Sequence, residues 1–324
     1  MDKTIIAIDI GGTTAKIGLI NNQGYIIEKW EVHSDISNNG ENIIDNIWNS
    51  ILEKLSDMEI NQDELLGIGI GAPGFVDNQS GLVYEAVNLG WRMFPLKEKL
   101  REKTRLPIFV ENDANLAALG ENWLGAGENA ENLIAVTLGT GVGSGVIANG
   151  EILNGFNGTA GEIGHVTVDP QGYLCNCGRN GCLDTIASAT GIVRAVEAYI
   201  EEHPDARLAE WQRRKQVMEA KDVFDMAKKG DEASHRIIER ALGLLGLALA
   251  HSASVINPSR ILIGGGLSKA GDYLLAIVND YLKKYALPRI VDTCEVKLAK
   301  LGNDAGIIGA AYIVLHKTGE FGQL

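Results

Sequence analysis

Apolar residues fall in short blocks along most of the chain, and glycine interrupts them repeatedly. Ile5-Ile-Ala-Ile-Asp9 reads as a buried strand, Ile10-Gly11-Gly12-Thr13-Thr14 as a turn and Lys16-Ile-Gly-Leu-Ile20 as a second strand. Asn21-Asn-Gln-Gly24 turns the chain into a third strand, Tyr25 to Val32. The period then lengthens: Ile43, Ile44, Ile47, Ile51 and Leu55 share one face of a helix. Leu66 to Ile70 is a strand running into Gly71-Ala-Pro-Gly74, and Pro95 to Lys103 a short helix. Leu106 to Val110 is a buried strand ending at Glu111-Asn112-Asp113, and Ala114 to Trp123 continues as a helix. Consecutive strands, then strands alternating with helices, imply a mixed sheet covered by helices.

The same order begins again at Asn132. A strand to Leu138 meets the glycine turn Gly139-Thr140-Gly141-Val-Gly143-Ser144-Gly145, followed by the strand Val146-Ile-Ala and a hairpin turn at Asn149-Gly150. In each half a later strand ends in glycines, Gly69-Ile-Gly71 and Gly264-Gly-Gly266. The match of order predicts a duplicated α/β unit with a cleft between the copies. An insertion from about Glu151 to Lys229 sets the second half apart. It includes an amphipathic segment, Thr190 to Glu201, and a charged stretch, Glu202 to Lys221, that reads as a solvated helical surface. Ala233 to Ile256 reads as a long apolar helix for a core or a subunit interface. Ile261 to Ile263 is a strand and Asp272 to Tyr285 a helix. In the last helix, Asp304 to His316, Gly306, Gly309 and Ala310 permit close packing.

A chain of 324 residues has material for two domains, and 39 glycines suit many tight strand-to-helix turns. A formal charge of −13 argues against nonspecific nucleic-acid partners and anionic membrane surfaces. The apolar run Ala241 to Ala250 is short for a bilayer span. The first strand starts by Thr4, so no leader peptide is expected, and clustered thiols fit a reducing compartment. The expectation is a cytoplasmic protein.

Chemistry concentrates between Gly161 and Cys182. His165 is followed ten positions later by Cys175, then Cys177 and Cys182. Three sulfurs and one imidazole make a closed tetrahedral set for structural Zn2+. A disulfide would leave an odd thiol over. The two glycine turns present runs of backbone N–H groups, nests that bind phosphate, although neither ends in the Gly-Lys-Ser/Thr of a P-loop. Thr13, Thr14, Thr140 and Ser144 would add hydroxyl donors. Asp9 either caps its turn or faces phosphate through a cation, which makes Mg2+ a natural third party. Lys16 either reaches phosphate or points to solvent. Asn112-Asp113, where a buried strand meets a helix, reads equally as a helix cap and as a ligand site whose carboxylate takes a proton from a hydroxyl.

Together these motifs resemble the ROK family (repressors, open reading frames and kinases) over essentially the whole chain, and within it the bacterial glucokinases. The resemblance rests on Asp9-Ile-Gly-Gly-Thr13, Gly71-Ala-Pro-Gly74, Glu111-Asn-Asp-Ala-Asn115 and Leu138-Gly-Thr-Gly-Val-Gly-Ser-Gly145. It extends to Gly158-Thr-Ala-Gly-Glu-Ile-Gly-His165, the Cys-x-Cys-Gly-x-x-Gly-Cys run and Gly264-Gly-Gly-Leu-Ser268. It implies a duplicated actin-like ATPase (ribonuclease H-like) fold of two lobes with an inter-lobe cleft. Residues 1–115 with about 304–324 would form the smaller lobe, and 116–303, with the zinc-loop insertion, the larger.

It implies ATP-dependent phosphorylation of glucose at the 6-hydroxyl. Asp113 would be the general base, and Gly74, Asn88, Asn112, Glu162, His165 and Asp184 would contact the sugar. ATP phosphates would lie at Asp9, Gly11, Gly12, Thr13, Thr14, Lys16, Gly139, Thr140 and Gly141, with adenosine near Gly265. Zinc is implied at His165, Cys175, Cys177 and Cys182. One position departs from the pattern: glucokinases of the family usually carry Glu two residues after the last zinc cysteine, where Asp184 is one methylene shorter. A longer or water-mediated sugar contact follows, and with it the alternatives mannose, fructose, N-acetylmannosamine and N-acetylglucosamine. A sugar-responsive regulator ranks lower, because those carry a DNA-binding helix-turn-helix ahead of the first phosphate strand. The family and the apolar 233–256 helix both point to a homodimer.

Overall fold

Ile5, Ile6, Ala7, Ile8 and Ile10 are fully buried, and the strand that they form, β1 (Thr4–Ile10), is central to a five-stranded sheet. β2 (Thr14–Asn21) and β3 (Ile26–His33) extend it antiparallel on one side. On the other side β4 (Leu65–Ala72) and β8 (Ile108–Asn112) pair in parallel, giving the order β3-β2-β1-β4-β8. The computed structural model describes residues 3–215 and 217–321, and within them the chain divides into two compact units. The first comprises the described residues up to Asn129, Ile152–Ala160 and those from Leu301 onward; the second comprises the described residues of Ala130–Glu151 and Gly161–Lys300.

The second unit repeats the sheet. β9 (Leu133–Leu138) pairs antiparallel with β10 (Val142–Ala148) and parallel with β12 (Arg260–Gly264), which pairs parallel with β13 (Glu295–Leu298). With β11 (Glu151–Ile152) the order is β11-β10-β9-β12-β13, strand for strand that of the first sheet. The duplication in the sequence is therefore real, and the fold is the actin-like ATPase fold. The turn after β9 is shorter than the run of glycines suggests. It spans Gly139–Gly141, while Gly143 and Gly145 lie inside β10 opposite Thr137 and Ala135. A Cβ on Gly164 would meet the Val142 carbonyl oxygen at 2.1 Å, so neighbouring backbone presses closely on this strand.

The boundary expected near Asn115 falls inside the first unit. Helix Asp113–Leu124 and the last helix, Ala305–Thr318, touch backbone to backbone: a Cβ on Gly309 would lie 1.8 Å from the Leu116 carbonyl oxygen. Both helices therefore stay on the first sheet, and the chain leaves this unit after Asn129. A small antiparallel sheet, β5 (Phe75–Asp77), β6 (Leu82–Ala86) and β7 (Trp91–Phe94), also belongs here. Its strands are too short to show alternation in sequence.

Helix Glu232–Ile256 has the length and composition of a membrane span. It packs instead on helix Asp272–Tyr285, where a Cβ on Gly246 would come within 2.6 Å of Tyr281 Cβ. The charged stretch holds a helix, Arg207–Lys215, that buries Leu208 and Ala209.

Candidate active site

Three parallel strands bring their C-terminal ends to one edge of the first sheet, where open α/β sheets hold ligands. Asp9 of β1 stands opposite Gly71 of β4, and Gly71 opposite Glu111 of β8. A Cβ on Gly71 would come 3.4 Å from Asp9 Oδ1 and 3.5 Å from Asp113 Cα, so both acids flank one glycine. Burial pushes the Asp9 carboxyl above its ordinary value, and the charge of Lys16 offsets part of that rise. Lys16 is paired with Asp9 across β1 and β2, and its ammonium donates to the Asn303 carbonyl.

The first glycine turn is braced from behind. Gly11 N–H closes it on the Thr14 carbonyl at 2.9 Å; Ser34 donates its hydroxyl to Gly11 O at 2.8 Å and its N–H to Thr13 O at 2.9 Å. Gly12, Thr13 and Thr14 remain exposed. Gly12 lies beside Asn88, whose Cβ would be 3.3 Å from a Cβ built on the glycine.

β8 ends in Asn112, in extended backbone. Its side-chain oxygen accepts the N–H groups of Ala114 and Asn115 at 2.9 and 3.1 Å, so Asn112 is the cap of the helix Asp113–Leu124. Its amide donates to the Gly74 carbonyl at 3.0 Å, tying the cap to the Gly71–Gly74 turn. Asp113 is half-buried at the positive end of the helix, with Oδ1 accepting the Ala114 N–H at 2.8 Å. Buried Glu111 and buried Asn115, the two ends of the Glu111–Asn115 motif, join directly behind this pair with Asn154, which lies in none of the sequence motifs.

In the second unit, Gly139 N–H closes its turn on Gly141 O at 2.9 Å. Gly265, at φ +79°, presses against Leu138, whose carbonyl oxygen would be 2.5 Å from a Cβ there. Side by side, the two glycine segments open onto a pocket of about 900 Å3 lined by Thr140, Thr190, Val193, Met218, Phe224 and Gly266. Ser144 does not serve the turn. Its buried hydroxyl donates to Gly161 O at 2.5 Å and accepts the Ile163 N–H at 3.0 Å, seating the Glu162–His165 segment. Asp184 is turned toward the glycines too: Oδ1 accepts the Val142 N–H at 2.6 Å. Burial raises the Glu162 carboxyl, and His165 partly offsets this.

The four expected metal donors meet. One atom from each of His165, Cys175, Cys177 and Cys182 lies within 4.8 Å of the others. Cys177 and Cys182 sulfurs are 3.5 Å apart, and Cys175 Sγ is 3.6 Å from His165 Nδ1. Tetrahedral Zn–S bonds of about 2.3 Å put sulfurs about 3.7 Å apart, so the donor set fits zinc. Burial raises all three thiols, but hydrogen bonds from Arg179 bring Cys177 down to about 6, while Cys182 is pushed up to about 12.

Comparison with known proteins agrees with this geometry. The family model described as ROK family matches residues 5–317. The glucokinase of Halalkalibacterium halodurans is 48% identical over 314 residues, covering 97% of this chain and 95% of that one. That of Thermotoga maritima is 38% identical over 316 residues, covering 97% and 98%. Among solved structures, a ROK family glucokinase from Streptomyces griseus in complex with glucose and AMPPNP superposes with a TM-score of 0.77. It is 32% identical, with 96% of this chain and 98% of that chain covered.

Proposed function

The chain belongs to the ROK family, and we propose that it is an ATP-dependent hexose kinase that phosphorylates glucose at its 6-hydroxyl. One observation carries the reading: likeness to a glucokinase over nearly the full length of both chains, at 48% identity. The site residues agree with it in kind.

In this reading Asp113 accepts the proton of the 6-hydroxyl as that oxygen attacks the γ-phosphorus of ATP. The bond to the β,γ-bridging oxygen breaks, and ADP leaves with the charge. Asn112, Gly74, Asn88, Glu162, His165 and Asp184 orient the sugar. The phosphates lie at the turns formed by Gly11, Gly12, Thr13 and Thr14 and by Gly139, Thr140 and Gly141, with Lys16 nearby and adenosine beside Gly265. Mg2+, bound with ATP near Asp9, would neutralise phosphate charge. Zn2+, held by His165, Cys175, Cys177 and Cys182, would be structural, since four protein ligands leave no open position. Most of the acceleration comes from positioning and electrostatics, because the protein forms no covalent bond to substrate.

A second reading, a kinase for another hexose or N-acetylhexosamine, draws support from Asp184, whose Oδ1 is already engaged by Val142. The deciding experiment is a coupled ADP-release assay with Mg-ATP across glucose, mannose, fructose, N-acetylglucosamine and N-acetylmannosamine. Preference for glucose supports the first reading, and preference for another sugar the second. No turnover with any of them refutes the kinase. A cytoplasmic homodimer without nucleic-acid partners belongs to the same reading; light scattering of the purified chain tests the dimer.

A further inference from the structure

We propose that Glu111 and Asn154 are positioning residues for Asp113, acting through a closed ring of side-chain hydrogen bonds behind the helix start. Glu111 is 1% exposed, so its carboxylate depends on protein donors. Oε1 accepts the Asn112 N–H at 2.8 Å and the Asn115 amide at 3.0 Å. Oε2 accepts the Asn154 amide at 3.1 Å. Asn115, 3% exposed, closes the ring by donating to Asn154 Oδ1 at 3.1 Å. Every bond has one donor and one acceptor, and each of the three side chains bonds to both of the others.

The ring sits where it can set geometry. Glu111 fixes the backbone of Asn112; Asn112 in turn caps the helix and holds the Gly74 carbonyl. Asp113 is the next residue, so its carboxylate direction follows from that cap. Asn154 is brought in by the segment Ile152–Ala160, which belongs to the first unit. A Cβ on Gly158 would meet the Val76 carbonyl oxygen at 2.2 Å, so glycine there lets this segment lie against the small sheet. A displacement of about 1 Å at a reacting group can cost roughly a hundredfold in rate, and this ring is placed to prevent one.

The proposal rests on Asp113 as the base, and its test is a polarity swap in the full chain with Mg-ATP and its best hexose. Glu111→Gln and Asn154→Asp each set like groups face to face. Each should lower kcat about tenfold to a hundredfold with a smaller change in the hexose KM. The Asn154→Asp loss should ease as pH falls, since a shared proton relieves two facing carboxylates. In the double variant the glutamine amide donates to the aspartate, the ring closes again and kcat recovers most of the loss. Normal kcat in both single variants, or a folded double variant no better than the worse single, overturns the proposal. Should a variant fail to fold, Asn154→Ser with amide hydrogen exchange at Ala114 and Asn115 decides: unless exchange quickens and kcat falls together, the proposal fails. The underlying reading fails differently, by a wild-type chain inactive on every hexose or an active Asp113→Asn.

Discussion

Asp184 Oδ1 accepts the backbone N–H of Val142 at 2.6 Å, so a residue from the end of the cysteine loop holds the base of a glycine turn. A hydrogen bond to a charged group is worth about 1.5–3 kcal/mol. Asp184→Ala should therefore loosen Gly139–Gly141 and raise the KM for ATP about tenfold or more, which steady-state kinetics with varied ATP would read. An unchanged ATP KM beside a raised glucose KM would make Asp184 a sugar contact only.

Asp113→Asn keeps the side chain's size and removes its ability to take a proton. Turnover should fall about a hundredfold to ten-thousandfold, the usual worth of general-base catalysis. Glucose affinity, measured by calorimetry without ATP, should hardly move. Near-normal turnover would remove Asp113 from the mechanism.

Cys177→Ser removes one of four converging donors. Metal content, measured by mass spectrometry, should fall from one zinc per chain toward none. The glucose KM should rise as His165 loses its anchor. Full metal content with an unchanged KM would refute the zinc assignment.

Asp9 offers a pH signature. Its folded pKa is raised from 3.8, chiefly by burial, so the protonated form favours the fold. That contribution is present below the unfolded value and lost as pH rises through the folded one. At neutral pH the buried charge therefore costs stability. Asp9→Asn should raise Tm at pH 7, with the gain shrinking as pH falls toward 4, while activity with Mg-ATP drops. A lower Tm at pH 7 would mean that neighbouring groups stabilise the charge.

Local pattern carried a large part of this protein. Ile5 to Ile10 and Ile43 to Leu55 advertise a strand and a helix face, because burial of one side leaves a period in the sequence. Gly306, Gly309 and Ala310 announce close helix packing, and Gly309 indeed lies on the Leu116 backbone. The convergence of His165, Cys175, Cys177 and Cys182 was legible because they lie close together in the sequence. The three-stranded sheet at 75–94 was not, since strands of three to five residues leave no measurable alternation.

The sequence by itself determined the duplicated order of strands, the two glycine turns and the family to which they belong. Tertiary structure alone decided which side chains meet. Val142 and Asp184 are separated by 42 positions, and Glu111 and Asn154 by 43. Ser144 stands within a glycine turn's motif yet braces Gly161 and Ile163. Periodicity records which face of an element is buried, whereas a hydrogen bond between distant segments depends on how whole elements pack, and no spacing along the chain encodes it.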